Sequence, residues 1–191
     1  MDQSEAEQEA RRRWSALCAA NPMRRPGPAS KAELDALEAR LGIKLPPELR
    51  DWLGFVSGAG DTYSVNEFLR VTKRGGFPTI EQSLQLYPMW LRRGLIPIAD
   101  DGCGDLYLLD TVSSPRAVYF WDHETCDQEG MAYVIASGLW HFVLGVLMEQ
   151  EPQADKLEGE VWPFARDATL AFDPAIAEVR GVPMPWEDAG A

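Results

Sequence analysis

The chain has 191 residues, 46% of them hydrophobic, with a formal net charge of -12 and a pI near 4.6. That length and apolar content suit about one domain with a real core. So acidic a balance argues against a nucleic-acid binder, which needs a concentrated basic surface, and no apolar run reaches the ~18 residues of a membrane span.

In chain order, the opening MDQSEAEQEARRRW has no apolar stretch of the secretory kind, so no secretory signal is expected. It reads instead as an amphipathic helix, with Trp14, Leu17 and Cys18 on one face, broken by NPMRRPGP. The short basic run Arg11-Arg12-Arg13 faces nearby glutamates and reads as a solvated helix face. Ser30 and Glu33 form the S-x-x-E pattern of a capping box. Leu34, Leu37 and Leu41 then mark a helix that Gly42 is placed to end. A second helix opens at Pro46-Pro47, where missing amide hydrogens cost nothing, and carries Leu49, Trp52, Leu53 and Val56 toward Gly58 and Gly60.

Tyr63 to Thr72 is expected as a strand, with a turn at Lys73 to Gly76. Thr79 and Gln82 suggest another cap, and Pro88 is placed to kink or stop the helix they open. Three β-rich runs follow: Leu95–Ala99, Leu106–Leu109 and Ala117–Trp121. Clusters of Asp, Gly, Ser and Pro bound them, as expected of consecutive antiparallel strands. Met131 to Ile135 is a candidate fourth. From Ala136 to Gln150 the pattern is helical, with His141 beside the apolar stripe of Leu139, Trp140, Val143, Leu144 and Leu147.

After Gln150, Pro152, Pro163, Pro174, Pro183 and Pro185 exclude a long regular element. Val161, Trp162, Phe164, Leu170, Phe172 and Trp186 are too apolar for a free linker, so the tail is expected to wrap on the main domain. The predicted organisation is residues 1–29 as an N-terminal helix and loop, 30–150 as an α+β domain, and 151–191 as an acidic extension packed on it.

Charge is unevenly placed. Between residues 100 and 130, Asp100, Asp101, Asp105, Asp110, Asp122, Glu124, Asp127 and Glu129 stand against Arg116 alone, and from residue 151 onward nine acids face three bases. The loop Asp100-Asp101-Gly102-Cys103-Gly104-Asp105 offers oxygen ligands of the kind calcium prefers. Its spacing is not that of an EF-hand, and Asp-Gly equally supplies the positive φ of a hairpin turn. The turn is the expectation, with no metal.

Cys18, Cys103 and Cys126 are an odd number, which fits free thiols in a reducing cytoplasm. Cys103, His123 and Cys126 lack the paired short spacings of a zinc site. An acidic neighbourhood would raise a thiol pKa rather than activate it, so no catalytic residue is expected there. Trp121-Asp122-His123-Glu124 reads as the polar end of a strand. Phosphate-loop, dinucleotide and serine-elbow motifs are absent, and no cofactor is implied.

LPPELRDWL, the GAG turn, LIPIADDGCGDLYLLD, AVYFWDHE and the closing apolar helix, taken in order over about Ser30 to Gln150, resemble the SUKH superfamily. The resemblance implies an α+β fold with helices packed against a largely antiparallel sheet. It also implies a non-catalytic protein, because the superfamily shares no catalytic residue set. Its members include bacterial immunity proteins of polymorphic toxin systems and fungal regulators of cell-wall synthesis. The expected partner is therefore a cognate protein toxin, basic if it is a nuclease, bound through the acidic residues between Asp100 and Glu129. An intracellular scaffold or regulator of a housekeeping protein is the alternative. The N-terminal helix and the long tail depart from a minimal family member.

Overall fold

The computed structural model describes residues 1–20, 27–56, 67–72, 78–126, 130–149 and 162–187. Helix α1 (Gln3–Ala20) buries Ala6, Ala10, Trp14 and Cys18, one residue per turn, along a single stripe. Arg11–Glu7, Arg12–Glu9 and Arg13–Glu9 pairs flank it; Arg12 is exposed as the basic run suggests, whereas Arg11 packs on the Phe55 and Trp140 rings instead of a solvated face.

Helix α2 (Lys31–Leu41) carries the complete Ser30/Glu33 capping box and ends at Gly42 in the left-handed region (φ 70°). Helix α3 (Pro47–Phe55) follows with proline in its first turn and stops before Gly58. A buried acid that the apolar pattern does not announce joins the pair. Glu38 accepts from the Leu45 amide at 3.2 Å and from Lys44 Nζ at 2.7 Å, and lies 3.0 Å from Arg50.

The predicted strand Tyr63–Thr72 is described only from residue 67, where β1 (Glu67–Phe68) pairs with β2. The expected turn at Lys73–Gly76 and the expected helix stop at Gly58 and Gly60 lie outside the described residues. Thr79 and Gln82 form a second capping box for α4 (Ile80–Leu86), which ends before Pro88. A short α5 (Met89–Arg92) follows.

The sheet is an antiparallel meander in the order β1-β2-β3-β4-β5, with β2 Leu95–Asp100, β3 Leu106–Asp110, β4 Val118–Trp121 and β5 Tyr133–Ala136. Every residue of β3 is buried, so both faces of the sheet are covered. Tyr107 pairs with Phe120 and Leu106 with Trp121, and adjacent pairs point to opposite faces. On the Tyr107 face lies α6 (Leu139–Glu149), buried at every position from Leu139 to Leu147, with Phe142 5.0 Å from the Tyr107 ring. On the other face Tyr87 and Trp90 pack edge-on against Trp121. A helix apolar all round needs cover on its far side. Helix α1 and the T-shaped Trp52–Trp140 pair at 5.9 Å supply it.

The described part of the tail wraps the β5 edge. Trp162 lies on Gly145 of α6, where an added Cβ would fall 2.3 Å from the indole. After α7 (Arg166–Phe172) and a 3-10 turn (Pro174–Glu178), Ile176, Val179 and Met184 pack on Ala117 and Val134 of the opposite face. The Val134 amide donates to the Pro183 carbonyl at 2.9 Å, occupying an edge-strand donor.

Candidate partner-binding face

The meander turns the ends of β2 and β4 and the start of β3 toward one end of the sheet, where Asp100, Asp101, Asp105, Asp122 and Glu124 gather. Most of these carboxylates organise their own loops. Asp101 Oδ1 accepts from the amides of Cys103, Gly104 and Asp105 at 2.8, 3.1 and 3.0 Å, and Asp100 Oδ1 accepts from Gly102 at 2.9 Å. Gly102 and Gly104 adopt φ of 79° and 119°, which is why this loop reads D-D-G-C-G-D.

In the β4–β5 loop, Asp122 accepts from the Glu124 and Thr125 amides and from Thr125 Oγ1 at 2.6 Å. The Thr125 hydroxyl, with those amides, holds the Asp122 carboxyl below its usual range, so this acid stays ionised. Asp105 joins the two loops: His123 donates to its Oδ1 from the backbone at 3.0 Å and from Nδ1 at 2.6 Å. That bond raises the His123 pKa.

The expected site set does not stay together. Asp110 ends β3 at the far end of the sheet, is only 8% exposed, and accepts from the Val112 and Ser113 amides at 2.7 and 2.8 Å. It is a buried turn cap, because a five-residue strand carries its two ends apart. Asp127 and Glu129 lie outside the described residues.

Asp105, Asp122 and His123 each offer a ligand atom within 4.8 Å of the others, and among the described residues they are the one such His/Cys/Asp/Glu group. Each already has a protein partner. No cysteine joins the group: Cys103 is exposed on its loop, Cys126 is half-buried, and Cys18 is buried in the core, none of them in a disulfide.

A polar cluster that sequence reading missed lies at the other end. Ser137 precedes α6, and its amide and hydroxyl donate to Asp173 at 2.8 and 2.5 Å. His141 Nδ1 is 3.4 Å from Ser137 Oγ, and its Nε2 is 3.3 Å from the Met1 carbonyl. Although Ser, His and Asp meet here, the hydroxyl donates its hydrogen bond to the carboxylate and all three residues are at most 1% exposed. This geometry does not activate a nucleophile; it ties the N-terminus, α6 and the tail together. A histidine inside an apolar stripe and an aspartate between Phe172 and Pro174 were the available signals. Beside the cluster, a cleft of about 530 Å³ has Glu7, Glu48, Asp51, Arg116 and Trp140 in its wall. There Arg116 pairs with Glu48 at 3.3 Å.

Among the described residues no helix is long and apolar enough to cross a membrane. The model of the SMI1/KNR4 family (SUKH-1) matches residues 28–145, more than half of the chain, and no curated protein matches it. The chain belongs to the SMI1/KNR4 (SUKH-1) family.

Proposed function

We propose that this SUKH-1 protein is a non-catalytic, cytoplasmic immunity protein that binds and neutralises a cognate protein toxin through the acidic end of its sheet. The observation that carries the reading is the convergence of Asp100, Asp101, Asp105, Asp122 and Glu124 on one end of the meander around the buried β3. Family membership supports a protein partner. A scaffold with a complementary surface is all that neutralisation requires. Clustered carboxylates speed encounter with a basic cleft and can exclude nucleic acid from it. We assign the core of this activity to residues 30–150, with 1–29 and 151–191 as flanking extensions.

The test is a tagged pull-down from native lysate at low and high salt, followed by co-expression of the captured protein. Capture of a single basic toxin, released by salt and neutralised in cells by this chain, is the expected result. Charge reversal would also destroy the loops that these acids cap, so charge is removed isosterically, as Asp105→Asn, Asp122→Asn and Glu124→Gln together. That variant should lose at least about tenfold in association rate at low ionic strength. An unchanged rate sinks the acidic face, and capture of signalling or cell-wall proteins in place of a toxin favours the regulator alternative.

A further inference from the structure

Directly beneath the acidic loops the sheet carries a row of aromatic rings. Tyr107, Phe120 and Tyr133 are cross-strand neighbours on β3, β4 and β5, with centroids 5.2 and 5.0 Å apart. Phe164 from the tail stands against Tyr133 at 5.7 Å with its plane turned by 68°. The inner end of the row is sealed under Phe142. The outer end is less covered: Phe120 and Tyr133 are half-buried, and Phe164 is 38% exposed. Burial first, then the Tyr133 phenol and the charges of Glu149, Asp101 and Asp105, push the Tyr107 phenol above the usual tyrosine range, and burial followed by Asp105, Asp122, Glu149 and Asp101 does the same to Tyr133. Asp105 and Asp122 stand two residues along their strands from Tyr107 and Phe120, so they share the face of these rings.

We propose that the corner formed by Phe120, Tyr133 and Phe164 is the docking surface for an arginine-bearing segment of a protein partner. This rests on the partner-binding reading above and specifies its chemistry. A guanidinium suits the corner better than an ammonium. It is planar and weakly hydrated, so it stacks on a ring while its edge donates to carboxylates. The protein already uses that combination internally: the Arg11 guanidinium sits 4.8 Å from both the Phe55 and Trp140 ring centroids while its Nε donates to Glu7 at 2.8 Å. At the sheet end rings and acids stand together, and the proposed partner brings a guanidinium to them. Aromatic anchors ringed by polar groups are where binding energy concentrates in protein interfaces.

The experiment compares fluorescent nona-arginine and nona-lysine peptides binding to the full chain, to Phe164→Leu and to Tyr133→Leu. Leucine keeps the apolar bulk and removes the aromatic face, and thermal unfolding checks that each variant remains folded. The expected result is tighter binding of nona-arginine, with each substitution weakening it about two- to fivefold and leaving nona-lysine nearly unchanged. Equal binding of the two peptides, or an arginine preference that survives both substitutions, overturns the proposal. Phe164 is exposed, so its variant keeps the test decisive if Tyr133→Leu fails to fold. Loss of the arginine effect with toxin neutralisation intact would remove this corner and leave the immunity reading standing. An arginine preference without any toxin partner would do the reverse.

Discussion

The two ends of β3 carry the same residue type and use it differently. At one end Asp105 is partly exposed, bonds His123, and sits among the loop acids. At the other, five residues on, Asp110 is buried and caps a turn. The Asp110 end also holds Glu48 against Arg116 and the wholly buried Asp173 against Ser137. An exposed carboxylate is free to meet a partner directly, whereas a buried one that accepts from local amides serves the scaffold. Counting acids in a segment therefore overstates a binding face and understates a scaffold.

The contrast is open to attack, most strongly at Asp173. Asp173→Ala leaves the buried Ser137 amide and hydroxyl without their acceptor and should cost about 3 kcal/mol, read by urea unfolding. A cost under about 1 kcal/mol would mean that the tail is not held by this cluster. Gly145→Ala tests the same clasp from the helix side. Alanine improves helix propensity by about 1 kcal/mol, but its Cβ would strike the Trp162 indole, and overpacking costs about 1–3 kcal/mol. The expected outcome is net destabilisation with altered tryptophan fluorescence, and a stabilised protein would show that Trp162 is free to move.

Asp110→Ala should cost about 1 kcal/mol through its two lost turn bonds while leaving partner association at its original rate. Slower association would return Asp110 to the binding face. The smallest effect is at His123. Its folded pKa is raised by Asp105, so the pair's stabilisation is fully present below the unfolded value of about 6.5 and is lost as pH rises through the folded value. NMR titration should place His123 above an ordinary imidazole, and Asp105→Asn should bring it down. An unshifted His123 in the parent protein would uncouple the two loops.

Local chemistry was legible where a short stretch decides the outcome. Ser30/Glu33 and Thr79/Gln82 cap helices because both partners lie three residues apart. The three runs from Leu95 to Trp121 became β2, β3 and β4 with ends moved by about one residue. Asp100 and Asp101 were readable as turn formers because the amides that donate to them lie within four residues. The β1 pairing had no such local signature, since the partners of Glu67 and Phe68 are more than thirty positions away.

By itself, then, the sequence determined the α+β class, the run of antiparallel strands, the caps and the acidic bias, all of which follow from residue type and short spacing. It also carried the motifs that resemble the family. Tertiary structure alone decided which acids share a surface, because strand length sends Asp105 and Asp110 to opposite ends. It alone brought Ser137 and Asp173, thirty-six positions apart, into one buried bond, and set Phe164 beside Tyr133. Such contacts join residues that no periodicity links; they form only when the collapse of an apolar core brings distant segments together.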